Sequence, residues 1–260
     1  PPAPATAGTG SKPATSADMR PVTALAFVAS ALAAGCSHLP SGGLQDALNA
    51  LAPAEQVSAP PLVLPPAPRP TARVGDTFVF GSASVRRVAA VSPTALTWTT
   101  TDGQRLRTGR DFFTPVLEQT LPDRRITSQL SGQPADLWPL SVGKTVTFNE
   151  LRTTALTTFN RTVQTPLRWE CEVVDARVSQ VPAGDFETFH VSCKAYRQDF
   201  FLLLQTITWD YAPSLGHYVR RTWYERGRPR QSQLAAALPG ALATAPRVAA
   251  TLERLQQLQP

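Results

Sequence analysis

The residues of this chain that could carry out chemistry are few and far apart. Its histidines are His38, His190 and His217, and no Gly-x-Ser-x-Gly elbow, His-Glu-x-x-His pair, phosphate-binding glycine loop or Cys-x-x-Cys motif is present. Asp199 and Asp210 flank an apolar run. Their positions are compatible with a pair of carboxylates near a cleft. A simpler explanation is that the two residues mark the ends of a strand. We therefore predict no enzyme activity, no cofactor and no metal site.

Two of the three cysteines are predicted to form a disulfide. Cys171 and Cys193 lie in two segments typical of β-strands, and the residues 182–185 between them (Pro-Ala-Gly-Asp) favour a turn. A hairpin that folds there sets the two thiols opposite each other. Cross-strand Cβ atoms are about 4.5–5.5 Å apart, close to the separation that a disulfide needs. The alternative is a pair of buried free thiols that pack as small apolar groups.

Aromatic and basic side chains are concentrated in residues 209–225, which read as strand, Pro/Gly turn and strand. The candidate binding surface consists of Tyr211, Tyr218, Arg220, Arg221 and Trp223. If these side chains line a groove, they give it an apolar floor and a cationic rim, which suits an anionic amphiphile such as a lipid or a lipopolysaccharide fragment. The alternative is that the aromatic residues only pack in the core, as most aromatic residues of β-proteins do.

A third feature is the stretch from Met19 to Cys36, in which one basic residue, Arg20, precedes an apolar run. The run is too short for a membrane-spanning helix, which needs about 20 apolar residues. It ends in Leu-Ala-Ala-Gly-Cys, with small residues directly before the thiol of Cys36. This segment resembles the lipobox signal of bacterial lipoproteins. The resemblance implies cleavage before Cys36, diacylation of its thiol and attachment of the mature chain to a membrane.

The same resemblance predicts where the protein is anchored. Ser37 follows the cysteine, where lipoproteins of the inner membrane carry Asp, so the pattern favours the periplasmic face of the outer membrane. The net charge of +6 arises mostly from arginine. It is compatible with contact to anionic lipid, although a solvated exterior explains it more simply. Nucleic acid is not an expected partner, because the basic residues are scattered.

A second resemblance covers residues 138–226. The sequence contains a Pro-Leu-x-Val-Gly strand start at 139–143, a Pro-Ala-Gly-x-Phe-x-Thr hairpin at 182–188 and a Trp-x-Tyr-Ala-Pro-x-x-Gly-x-x-Val-Arg hairpin at 209–220. These motifs are similar to those of a group of poorly characterised exported bacterial proteins. The resemblance implies a secreted β-rich domain and carries no established catalytic residue.

The remaining pattern predicts an all-β fold. Alternating, β-branched segments such as Thr77–Phe80, Ser84–Val91 and Ala95–Thr100 are separated by turn residues, and Asp102-Gly103 is typical of a two-residue hairpin. We expect an antiparallel sandwich or half-barrel, built from one or two related β-units, with a short C-terminal helix. The predicted organisation is a leader and signal peptide (1–35), a lipid-anchored Pro-rich tether (36–72), a first β-unit (73–137), a second β-unit with the disulfide hairpin (138–227) and a helical or disordered tail (228–260).

Two functions fit these features. The first is a non-catalytic envelope component that binds an envelope protein or the cell wall. The second is a carrier of a lipid or anionic amphiphile inside a β half-barrel, which requires an unfilled apolar cavity. The run Phe200–Leu204 is apolar without alternation and predicts a strand buried on both faces. Such a strand narrowly favours the first function.

Overall fold

The computed structural model describes residues 62–225 and 227–257, with only the backbone of residue 225. Twelve antiparallel strands form one sheet that closes into a barrel. Its strands are β1 (Thr77–Phe80), β2 (Ser84–Val91), β3 (Ala95–Thr100), β4 (Arg105–Gly109), β5 (Val116–Leu121), β6 (Arg124–Gly132), β7 (Thr145–Leu156), β8 (Arg161–Val181), β9 (Gly184–Arg197), β10 (Leu202–Ala212), β11 (His217–Glu225) and β12 (Arg228–Leu238). The predicted all-β class and C-terminal helix are confirmed.

The strand order is that of a simple meander. Each strand pairs with its neighbour in sequence, and the pairing of β1 with β12 closes the sheet. At the closure the chain before β1 lies close to the chain after β12. A Cβ atom on Gly240 would lie only 2.5 Å from the carbonyl oxygen of Val74, and the amide of Gly240 donates to Asp76 Oδ1 at 2.9 Å. Only glycine permits this approach.

The prediction of a sandwich or half-barrel is wrong in its finer part, because the sheet has no free edge. The prediction of a helical or disordered tail from residue 228 is right for the helix at residues 245–257 and wrong for residues 228–238, which form β12. The Ala- and Leu-rich sequence of β12 favours a helix by propensity. The edges of β1 and β11 would be unpaired without β12, and each offers this segment a row of hydrogen-bonding partners. Pairing on both sides outweighs the helix propensity of the segment.

The interior of a twelve-stranded barrel is too wide for its own side chains to fill. Eight strands give an interior just wide enough for side chains, and diameter grows with strand number. One sector of this barrel is packed by Phe148, Trp169, Phe189 and Val191, with the rings of Phe148 and Trp169 stacked at a centroid distance of 6.1 Å. The rest of the interior is left open and forms the cavity described below.

Residues predicted to form two β-units contribute to a single continuous sheet. A short 3₁₀ helix, Pro134–Leu137, lies between β6 and β7, and Leu137 is fully buried. The C-terminal helix α1 (Ala245–Gln257) follows β12, and none of its residues is fully buried. The segment before β1 contacts the connection between β6 and β7 through an isolated bridge between Ala67 and Leu140.

Candidate functional site

The interior of the barrel contains a cavity of about 1150 Å³. Every strand except β9 contributes side chains to its wall, and the loop between β4 and β5 brings in Phe112 and Phe113. The ring of Phe112 stacks on that of Tyr211 with centroids 4.9 Å apart. The apolar part of the wall includes Phe78, Val88, Leu96, Trp98, Leu106, Val116, Ile126, Ile207, Trp209 and Trp223. The cavity therefore has the apolar lining that a lipid-like ligand requires.

A β-bulge in β11 decides which residues of the predicted binding surface face this cavity. Tyr211 pairs with Tyr218 and Asp210 pairs with Arg220, so Val219 is an extra residue in the ladder. Before the bulge Tyr218 faces inward, and after it Arg221 and Trp223 do so. Four of the five predicted residues therefore line the cavity together, and Arg220 does not.

Arg221 is the central cation of the cavity wall. Its guanidinium lies 5.1 Å from the ring centroid of Trp223 and 6.0 Å from that of Trp209. Its Nε atom is buried and has no hydrogen-bond partner among the described residues. Burial, together with the nearby charge of Arg86, lowers the pKa of Arg221 from its ordinary value. A guanidinium nevertheless stays protonated in proteins, so a cation with an unused donor faces the lumen.

Arg86 supplies a second cation on the same side of the lumen. Its Nη1 donates to the hydroxyl of Tyr218 at 3.0 Å, and its guanidinium lies 5.8 Å from the ring centroid of Phe80. No carboxylate pairs with Arg86 or Arg221 among the described residues. Two neighbouring guanidiniums without a counter-ion form an anion-attracting region.

The carboxylates in the wall are already satisfied. Glu150 is fully buried and accepts hydrogen bonds from Ser128 at 2.6 Å, from Trp169 Nε1 at 2.7 Å and from Arg152 at 2.9 and 3.0 Å. Asp111 accepts from Arg69 at 2.7 Å. Asp76, the third carboxylate, accepts from backbone amides. Six arginines and these three carboxylates line the cavity, which leaves it positively charged.

Other groups in the wall are neutral. Burial raises the pKa of Tyr211, so its phenol keeps its proton. His217 is buried and stacks on Phe78 at a centroid distance of 3.9 Å. Burial lowers the pKa of His217 to about 4, and the imidazole is uncharged at neutral pH. The positive charge of the lumen is therefore carried by arginine alone.

Arg220 belongs to a separate cluster that does not line the cavity. It lies 3.4 Å from Asp210, which also contacts His190 Nδ1 at 2.7 Å and accepts from Ser179 at 2.9 Å. Burial by itself would raise the pKa of Asp210, but the hydrogen bonds from His190 and Ser179 and the charge of Arg177 hold it below its ordinary value. The serine contacts the carboxylate rather than the imidazole, so the geometry differs from that of a catalytic triad.

A disulfide joins Cys171 and Cys193, the pair expected from the hairpin, and both residues are buried on directly paired positions of β8 and β9. Cys36 and the signal-like segment lie outside the described residues. No cluster of three or more metal-ligating side chains occurs within 62–225 and 227–257. None of the helices in this part of the chain is long and apolar enough to cross a membrane.

The predicted burial of Phe200–Leu204 is wrong. Phe200 is 70% exposed and Phe201 83%, and the three leucines after them are each about half exposed. Residues 198–201 form the turn between β9 and β10 instead of extending the strand. A run of apolar residues does not distinguish a doubly buried strand from an exposed apolar turn, because composition carries no information about contacts.

Sequence reasoning missed most of the cavity wall. Arg86, Phe112 and Glu150 lie about 70 to 135 residues before Arg221 in the chain and reach the lumen only through closure of the barrel. Alternation within β2 and β3 indicates which residues share a face, but it does not show that this face lines an open lumen.

Comparisons with known proteins give structural likeness only. No family model and no curated protein matches the sequence. Among solved structures, the hypothetical lipoprotein YmcC from Escherichia coli K12 is similar over 63% of this chain and 84% of its own, with a TM-score of 0.44 and 9% identity. A protein from Bacteroides fragilis described as exported, with a YmcC-like fold, is similar over 66% and 99%, with a TM-score of 0.33 and 13% identity. At these values the similarities carry no argument about function.

Proposed function

We propose that this protein is a non-catalytic binding protein that holds an anionic amphiphile inside its barrel. The observation that carries the proposal is the cavity of about 1150 Å³, in which an apolar wall surrounds the unpaired guanidinium of Arg221. Pockets for small ligands measure about 300–1,000 Å³, so a ligand at or beyond the upper end of that range fits.

The chemistry of the wall specifies the two parts of the ligand. The acyl part replaces water against Trp209, Trp223 and their apolar neighbours. The anionic group binds near Arg221 and Arg86, where a charge-assisted hydrogen bond uses the free Nε–H of Arg221. The satisfied carboxylates Glu150 and Asp111 do not compete for these donors, because each already has its own arginine.

The cellular part of the proposal is that the chain is an envelope lipoprotein, acylated on Cys36 and held at the periplasmic face of the outer membrane. Its support is the sequence pattern of residues 19–36. The alternative prediction, a protein or cell-wall partner for a purely structural component, stays a prediction.

The ligand prediction is tested with dansylamino-undecanoic acid and its uncharged methyl ester, titrated into the full chain. Wild-type protein is expected to bind the acid more tightly than the ester. Arg221→Met is expected to weaken binding of the acid by about tenfold or more and to leave the ester unchanged, since a hydrogen bond to a charged group contributes about 1.5–3 kcal/mol. The measurement is the rise in dansyl fluorescence on burial.

The matched control is Arg220→Met, which removes the same charge one position along β11 but outside the cavity. It is expected to bind both probes like the wild type, with a melting temperature measured first to verify folding. Equal affinities of acid and ester for wild-type protein, or equal losses in the two variants, would contradict the proposal.

The anchor is tested by intact mass of the membrane-extracted protein, beside a Cys36→Ala variant. The expected mass starts at Cys36, carries added acyl chains and increases by two hydrogens on reduction of the Cys171–Cys193 bond. The variant is expected to remain unacylated. An uncleaved, unacylated wild-type chain would remove the lipoprotein part of the proposal and leave the ligand part standing.

A further inference from the structure

The barrel has an unusually apolar turn at one end, which the ligand cavity does not explain. The turn between β9 and β10 and the first residues of β10 present five consecutive apolar side chains to solvent, Phe200 to Leu204. We call these residues the apolar turn. None of them lines the lumen cavity. Soluble monomers rarely expose a continuous apolar surface of this kind without an interaction that covers it.

A second exposed phenylalanine lies at the same end. Phe159, in the turn between β7 and β8, is 77% exposed. In a meander, the turns that follow odd-numbered strands all lie at one end of the barrel, so Phe159 and the apolar turn share an end. The chain before β1 meets the opposite end, where Ala67 bridges to Leu140 beside the start of β7.

The backbone at Phe201 is strained, so this phenylalanine lowers the stability of the turn rather than raising it. Phe201 has a φ of 51°, in the left-handed region that bulky residues seldom adopt. Glycine would adopt this conformation without steric cost, whereas a phenylalanine there costs of order 1–3 kcal/mol. The exposed ring of Phe201 makes no aromatic contact with another described residue that would offset this cost.

Basic side chains lie at the same end of the barrel as these phenylalanines. The guanidinium of Arg197 lies 5.0 Å from the ring centroid of Phe200, and the same arginine pairs with Asp199. Arg161 and Arg228 begin β8 and β12 at this end, are exposed, and make no ion pair within the described residues. Tyr224, which is 58% exposed, lies near the same end on β11.

We infer that this end of the barrel docks on an anionic lipid bilayer, with Phe159, Phe200 and Phe201 inserted at the boundary between headgroups and acyl chains. Phenylalanine and leucine side chains of interfacial segments are buried at that boundary, and arginines beside them bind anionic headgroups while their stems lie along apolar surface. Phe159 stands on a different turn from Phe200 and Phe201, and none of the three lines the cavity. This docking is independent of whether the lumen binds a ligand.

The test uses the full chain with Cys36→Ala, which prevents acylation and, because Cys171 and Cys193 are paired, leaves no free thiol. Phe201→Cys then provides a single site for an environment-sensitive nitrobenzoxadiazole dye. The matched control is Val142→Cys, at an exposed apolar position in the connection between β6 and β7 at the opposite end. Vesicles contain equal parts of phosphatidylethanolamine and phosphatidylglycerol, with phosphatidylcholine vesicles as the uncharged comparison.

The dye at position 201 is expected to shift its emission to the blue on the anionic vesicles and to be quenched by nitroxide-labelled lipid, whereas the dye at position 142 responds to neither. Phe200→Ser combined with Phe159→Ser is expected to weaken vesicle binding at least tenfold. Equal responses at the two positions, or none at position 201, would overturn the inference. Retention of dansylamino-undecanoic acid binding in all these variants separates that outcome from a failure of the proposed function.

Discussion

Arg220 and Arg221 are adjacent in sequence and lie in different environments. Arg221 faces the lumen between two tryptophans, and Arg220 joins the cluster around Asp210. Neighbouring residues of a strand point to opposite faces, so only one of two adjacent arginines can serve a given site. The candidate site therefore depends on single positions, and the Arg221→Met and Arg220→Met pair is the comparison that measures it.

His217 makes the stability of the barrel sensitive to acid. Its pKa is lowered to about 4 by burial, while an unfolded histidine titrates near 6.5. Between these values the unfolded state binds more protons, so stability is complete above about pH 6.5 and falls as the pH drops toward 4. Asp76 and Arg86 are the charged groups that act on it.

We expect His217→Phe to remove this sensitivity. The wild type is expected to lose about 2 kcal/mol of unfolding free energy between pH 7 and pH 5 from this group. The variant keeps a ring against Phe78 but loses the contact to the Tyr218 carbonyl, so it is expected to be about 1 kcal/mol less stable at pH 7. Its free energy of unfolding is expected to change much less between pH 7 and pH 5 than that of the wild type. Urea unfolding at both pH values measures the difference. Parallel pH curves for the two proteins would refute this account.

At the level of elements, β8 and β9 form the longest ladder of the sheet. They pair from Leu167 with Arg197 to Val181 with Gly184, and the disulfide crosses this ladder at its only cysteine pair among the described residues. The tip of the hairpin then contacts β12, where the amide of Ala183 donates to the Leu234 carbonyl at 3.0 Å. The hairpin thus connects the packed sector of the barrel with the strand that closes it.

Replacing both bridged cysteines by serine is expected to destabilise the protein by about 3 kcal/mol. The two positions are 22 residues apart, and the entropy that the bond removes from the unfolded chain for a loop of that length has this magnitude. Urea unfolding of the double variant measures the change. Cys36→Ala in the same assay is the matched control and is expected to leave the midpoint unchanged. An effect below about 0.5 kcal/mol would show that the unfolded chain is already restricted.

For the whole molecule, closure of the sheet creates the cavity. Sheet edges that remain open bind other chains, and pairing β1 with β12 removes them. The same closure brings residues from the start and the end of the described chain into one wall, including Phe78 and Ala237. The interior is then wide enough for a ligand because twelve strands set its diameter.

Two truncations separate the roles of β12 and α1. A chain that stops after Glu225 lacks β12 and is expected to lose the folded barrel, since β1 and β11 lose their hydrogen-bonding partner and the core loses the buried Leu234. A chain that stops after Thr244 lacks only α1, which has no fully buried residue, and is expected to melt within a few degrees of the full chain. Resistance to protease and the thermal transition measure both. A folded first truncation would show that β12 is dispensable.

The local features of the fold follow from short stretches of the sequence. Alternation and turn residues predicted β1, β2 and β3 with the bounds that the structure has, and the hairpin around Pro182 predicted which cysteines face each other. Both depend on interactions between residues close in the chain, or on side-chain periodicity, and such information is present in short segments.

The closure of the barrel, the open lumen and the exposure of the apolar turn arise from contacts between distant residues. The segment of β12 has helix-forming residues, and pairing with β11 and with β1, which lies about 150 residues earlier, makes it a strand. Phe200 to Leu204 have the composition of a core strand, and the position of the turn leaves them in solvent. These outcomes depend on contacts between distant parts of the chain. The sequence of a single segment does not determine the free energy of such contacts.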